Sequence, residues 1–280
     1  MTNPIRLGLI GDNIASSQAP RLHRLAGAQN GRAVRYDRLV PAAEGLAFDP
    51  LFDGLAARGY RGVNVTYPYK ERAALRVEIA DPLVRAIGAV NTVLFGDGPP
   101  RGFNTDCSGF VLAYRGARGA AAPGRVLMIG AGGVGKAVAF GLVALGLRDI
   151  EIVDSDLAKA RALADALIAA QPGLTARAAT DAAEGRGACG VINCTPVGMV
   201  GHDGTPLPQG FPAGAEWAFD AVYTPVETEF LRAARDAGLQ VISGYELFIG
   251  QGVDAWALFT GLPLDEARLR ADLAAGRDAT

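Results

Sequence analysis

The segment RVLMIGAGGVGKAVAFGLVALG, residues 125–146, restricts the possible folds of this chain more than any other stretch. An apolar run from Arg125 to Ile129 reads as a buried strand, and KAVAFGLVALG continues with strong helix formers. Between them Gly130, Gly132 and Gly135 stand in G-x-G-x-x-G spacing. Glycine there permits a tight turn, backbone approach to a pyrophosphate and close helix packing. The helix N-terminus adds unpaired N–H groups and the positive end of its dipole. Residues Gly130, Ala131, Gly132, Gly133, Val134 and Gly135 are therefore the expected phosphate cradle.

Asp154 ends the next predicted strand, Ile150 to Val153, where a carboxylate accepts both ribose hydroxyls of NAD and repels a 2'-phosphate. Ser155, Asp156 and Leu157 supply no guanidinium for NADP, and Lys159 already lies in the following helix. NAD is thus expected ahead of NADP. The alternative for Asp154 is a helix N-cap.

At 280 residues, half of them apolar, the chain exceeds a single core, so two domains are expected. In the second, strands at 150–153, 190–193, 218–221 and 241–242 alternate with helical stretches, among them 157–170, which implies a doubly wound parallel sheet. In the first, strands are expected at 6–10, 34–40 and around Val63 and Val65, with helices after Pro20 and near 51–58 and a hairpin across 88–105. The fold class is therefore α/β, with an N-terminal α/β substrate domain and a Rossmann-type cofactor domain. The expected division is 1–106, completed by 244–280 folding back, against 107–243. Ala/Gly-rich stretches at 116–124 and 176–190 read as loops.

The formal net charge of -2 comes from dispersed charges, without the basic tract that attracts nucleic acid or anionic lipid. No apolar run is long enough to span a bilayer and no leader pattern precedes the first strand, which reads as cytoplasmic. Neither nucleic acid nor a membrane is an expected partner; a monomer or a homodimer is. Cys107, Cys189 and Cys194 lack paired spacing and only His23 and His202 supply imidazole, so no metal site is expected. Cys194 reads as a small buried filler, His23 as a structural or solvent-facing residue and His202 as exposed.

The chemistry must come from the first domain. Only three of the 27 basic residues are lysines, and one, Lys70, follows the strand carrying Asn64 and Thr66. Oxidising a secondary alcohol requires a group to take the hydroxyl proton, which a lysine beside a carboxylate such as Asp106 can do. In isolation the two residues could equally form a surface ion pair.

Four segments in order, NVTYPYK (64–70), GAVNT (88–92), GFNTD (102–106) and NCTPVGM (193–199), resemble the shikimate/quinate dehydrogenase family over nearly the whole chain. The resemblance implies that Lys70 and Asp106 are the catalytic pair and that a small cyclic polyol carboxylate is the substrate. It implies that Asn91 and Gln251 meet ring hydroxyls and that Ser17, Asn64, Thr66 and Tyr223 complete the substrate site. Thr195, Pro196, Val197 and Met199, with Gly244, would border the nicotinamide. One departure stands out. The family's S-x-S-P or S-x-T-P loop here reads Ser17-Gln18-Ala19-Pro20, so one carboxylate-binding hydroxyl is gone, and Ser17 could be no more than a helix cap. The best substrate could then be shikimate, quinate, an amino analogue or another cyclic polyol; a non-catalytic nucleotide sensor is the remaining alternative.

Overall fold

The computed structural model describes residues 3–181, 187–207 and 209–276. Packing divides the chain into two compact units, one formed by residues up to Thr105 with those from Gln251 onward, the other by Asp106–Gly250. The division falls inside the helix that begins at Gly244.

In chain order the first unit holds β1 (Ile5–Ile10), α1 (Ala19–Gln29), β2 (Val34–Leu39), α2 (Phe48–Asp53), β3 (Gly62–Val65), α3 (Lys70–Ala74), α4 (Pro82–Ile87), β4 (Thr92–Leu94) and β5 (Arg101–Phe103). Its sheet runs β2-β1-β3-β4-β5, with β1 parallel to β2 and β3, and β4 antiparallel to both neighbours. Alternation along β1 sends Leu7 and Leu9 to one face, with Tyr36 and Phe259, and Ile10 to the other, with Phe48, Phe52 and Val63. The second helix starts earlier than the sequence suggested, at Phe48, because Phe48 and Phe52 stack at 5.5 Å and bury together.

The second unit is built from α5 (Thr105–Arg118), β6 (Arg125–Ile129), α6 (Gly133–Ala144), β7 (Asp149–Val153), α7 (Leu157–Ala170), β8 (Thr175–Ala179), β9 (Gly190–Asn193), β10 (Trp217–Asp220), α8 (Glu229–Asp236), β11 (Gln240–Ser243) and the start of α9 (Gly244–Thr260); α10 (Glu266–Ala274) returns to the first unit. Its six strands are all parallel, in the order β11-β10-β9-β6-β7-β8. Central strands of such a sheet are covered on both faces, which is why Val126–Ile129 and Gly190–Asn193 are buried without alternation. The expected loop at 176–190 is partly wrong. Thr175–Ala179 is an edge strand whose small residues escape a hydrophobic reading, and 182–186 lie outside the described residues.

Among the described residues no helix is long and apolar enough to cross a membrane, and no His/Cys/Asp/Glu cluster could hold a metal.

Candidate active site

The glycine turn of the second unit is sterically dictated. Gly130 adopts φ +102°, and a Cβ there would lie 2.6 Å from the Cys194 carbonyl carbon. A Cβ on Gly135 would lie 2.2 Å from the Gly130 carbonyl oxygen, so only glycine lets α6 approach β6 this closely. A Cβ on Gly132, by contrast, meets nothing within 4 Å, so the space beside it is open. Gly132 is also the N-cap of α6 and provides no side-chain cap, which leaves the helix's first N–H groups for an anion. These residues fit a dinucleotide.

Asp154 is oriented by the same turn. Its Oδ2 accepts from the Ala131 N–H at 2.7 Å and its Oδ1 from the Asp156 N–H at 2.9 Å. The N-cap alternative is overturned, because Asp156 caps α7 through the Ala158 N–H at 3.0 Å. Lys159 lies 3.9 Å from Asp156.

The segment after β9 forms a compact bend. Asn193 Oδ1 accepts from the Thr195 N–H at 2.9 Å and hydroxyl at 2.7 Å, while its Nδ2 donates to Val197 O at 3.0 Å. Thr195, Val197 and Met199 are half-buried and Pro196 exposed. Tyr223 stacks on Phe248 at 4.9 Å, nearly parallel. Gly244 packs where a Cβ would be 2.6 Å from Ala221 O, so its place is a close backbone approach beside the β10 loop. Cys194 is buried and His202 exposed, both as expected.

In the first unit Lys70 opens α3, half-buried, and its carbonyl accepts from the Val90 N–H at 3.0 Å, which fixes it against the GAVNT segment. Tyr69 packs, stacked on Phe48 at 4.8 Å, and Tyr67 is exposed. Thr66, half-buried, follows β3 and donates its N–H to Ile10 O at 2.8 Å. Gln251 is half-buried on α9. Asp106 is buried and begins the second unit.

Asn91 is held by Thr105, whose N–H donates to Asn91 Oδ1 at 2.7 Å, and by the Thr92 hydroxyl at 3.1 Å. These donors set the amide's orientation, so Oδ1 faces the protein. Asn64, expected at the substrate, is buried and hydrogen-bonded inside the domain. Its Oδ1 accepts from Tyr36 at 2.8 Å and its Nδ2 donates to Thr92 at 3.0 Å, a consequence of β3 lying beside β4 in the register Asn64↔Thr92.

Ser17 is half-buried, and its hydroxyl accepts weakly from the Ala19 N–H at 3.3 Å, while Gln18 takes the N-cap position of α1. Arg38, which no sequence motif pointed to, donates to Ile14 O at 3.0 Å and Ser17 O at 2.9 Å and so pins this loop. Asp220 was missed as well: fully buried, it accepts from Asn193, Val222 and Thr228. The Asp-x-x-Tyr run from Asp220 to Tyr223 was the available signal.

A six-stranded parallel sheet with a glycine cradle after its first strand and an acid after its second defines a Rossmann-type dinucleotide-binding protein, here joined to a separate α/β unit. The family description "Shikimate dehydrogenase substrate binding domain" matches residues 9–93. Quinate/shikimate dehydrogenase (NAD(+)) of Corynebacterium efficiens is 39% identical over 276 residues, covering 95% of this chain and 96% of that protein. The chain belongs to the shikimate/quinate dehydrogenase family. Quinate dehydrogenase of Corynebacterium glutamicum, solved with NAD, superposes with a TM-score of 0.86 at 35% identity, over 98% of this chain and 100% of that one. Shikimate 5-dehydrogenase of Thermus thermophilus, solved with NADP(H) and shikimate, gives 0.83 at 35% identity, over 97% and 99%.

Proposed function

We propose that the protein interconverts a ring hydroxyl and ketone of a shikimate- or quinate-type cyclic polyol carboxylate, with NAD as the preferred cofactor. The observation that carries this reading is the end-to-end likeness to quinate/shikimate dehydrogenases, together with Lys70 and Asp106 at the ends of two family motifs. The first unit serves as the substrate domain and the second as the cofactor domain.

Bound nicotinamide cofactor would supply the hydride acceptor for oxidation of the alcohol carbon and, in its reduced form, the hydride donor for the ketone. Residues Gly130–Gly135 would hold its pyrophosphate and Asp154 its ribose, while Thr195–Met199 with Gly244 would border the nicotinamide. Lys70, as the free amine, takes the hydroxyl proton in oxidation, and as the ammonium returns it in reduction. Asp106 keeps Lys70 and the reacting hydroxyl in register. Asn91, its oxygen engaged by Thr105 and Thr92 and one amide N–H by the Thr105 hydroxyl, offers its second N–H to a ring hydroxyl. Gln251 meets a further hydroxyl, and Thr66, Tyr223 and Ser17 hold the carboxylate. Asn64 supports Thr92 from beneath the site. A panel of shikimate, quinate and their amino analogues, each assayed with NAD and NADP, tests the reading; no turnover of any of them rejects it.

Two outcomes follow from the site. NAD should exceed NADP by at least about tenfold in kcat/KM, about 1.4 kcal/mol, because Asp154 meets the 2'-phosphate with like charge; equal use of NADP removes that role. Ala19→Ser should lower the KM for a carboxylate-bearing substrate, since one charge-assisted hydrogen bond contributes roughly 1.5–3 kcal/mol. An unchanged KM would mean that the carboxylate is held away from this loop.

A further inference from the structure

We propose that Asp220 is the positioning residue that locks the loop after β9 to the loop after β10, so that the nicotinamide-side segment and Tyr223 are set by one carboxylate. The functional meaning of those two loops rests on the reading above; the lock itself does not. β9 and β10 are parallel neighbours in the register Asn193↔Asp220, which brings both side chains to the same sheet end. Asp220 Oδ1 accepts from Asn193 Nδ2 at 2.9 Å and from the Val222 N–H at 3.0 Å. Its Oδ2 accepts from the Thr228 hydroxyl at 2.6 Å, and Thr228 in turn caps α8 by accepting from the Leu231 N–H at 3.1 Å. Asn193 relays the constraint to Thr195 and Val197. A backbone bond from the Val200 N–H to Thr224 O, 3.2 Å, ties the same two loops further out.

Asp220 is fully buried and accepts from three donors of its own surroundings, so it acts through its neighbours. Burial pushes its carboxyl up to about 6, against the pull of those donors. A charge-capable group kept in so dry a place is costly unless it is hydrogen-bonded, and here the donors come from the two loops and the cap of α8. Cofactor and substrate should therefore strengthen each other's binding through this lock, by a factor on the order of five to a hundred.

Asp220→Ala is expected to lower kcat/KM and to bring the mutual strengthening of NAD and shikimate, measured by titration of each with and without the other, close to unity. In the ligand-free protein, hydrogen exchange at residues 195–200 and at 222–226 should accelerate together, by roughly tenfold or more. Thr228→Val, which removes one bond and keeps the carboxylate, should give a smaller acceleration in both segments, and Thr228→Ser should restore wild-type exchange; this pair decides the matter if Asp220→Ala does not fold. The proposal is overturned if only 222–226 responds, or if the coupling survives in a folded Asp220 variant. Should the wild type turn over no cyclic polyol, the functional reading fails while the exchange measurement still judges the lock.

Discussion

Lys70→Ala should lower kcat by roughly a hundredfold to ten-thousandfold, the range for loss of a positioned acid/base, while the Kd of NAD stays within a few-fold of wild type. The separation is expected because Lys70 belongs to the first unit and the glycine cradle to the second. A residue that only bound the polyol would behave differently: KM would rise and kcat would survive at saturation, since ground and transition states would lose the same contact. Asp106→Asn supplies the second arm. If the pair works as one proton-handling unit, the double variant should be hardly worse than the worse single one. Losses that multiply, or a Lys70→Ala protein with near-normal kcat, would send the proton elsewhere.

The parts of the fold that sequence reading captured are those in which local chemistry repeats itself. RVLMI, the glycine spacing and the helix formers after it each demand the same strand–turn–helix, and a fully buried parallel strand declares itself by an unbroken apolar run. The hairpin expected across 88–105 is present as β4 and β5, joined through the Gly/Pro-rich residues 96–100. What escaped were contacts made by strand order. Asn193 and Asp220 are 27 residues apart, as are the partners Asn64 and Asn91, and only the placement of β9 beside β10 and of β3 beside β4 joins them. The hydrogen bonds of Asn64 to Tyr36 and Thr92 were likewise hidden, because the motif it stands in shows neither partner. Arg38 was invisible because its partners are backbone carbonyls, which carry no sequence signature. The short helices α3 and α4 were missed since each is too brief to show a period, although Asp81 ahead of Pro82 is a good start signal for α4.

Acid should weaken the first unit through His23, and the second unit should respond with the opposite sign. His23 lies in α1, 1% exposed, stacked on Tyr36 at 5.0 Å and edge-on to Phe259 at 5.6 Å, with Nδ1 lacking a hydrogen-bond partner. Burial lowers its pKa from 6.5 to about 4, and its contact with Asn64 offsets only part of that. Between those values the unfolded chain binds the proton and the folded unit does not, so stability is fully present above pH 6.5 and falls as pH drops towards 4, by up to about 3 kcal/mol. For Asp220 the folded form holds its proton up to about pH 6, so its contribution improves over a similar interval as pH falls. The two slopes nearly cancel in a whole-chain measurement. Hydrogen exchange resolved by segment separates them: protection in β1, α1 and β2 should decline from about pH 6.5 to about 4.5, after correction for the intrinsic exchange rate. His23→Phe keeps the stack, removes the titrating ring and should flatten that decline, leaving the second unit's trend untouched. Asp37 and Asp49, both held below the usual carboxylate range by arginine partners and, at Asp37, Tyr60, act only at lower pH and do not confuse the result. An equal decline in wild type and His23→Phe would show that His23 is not the group whose protonation loosens the first unit.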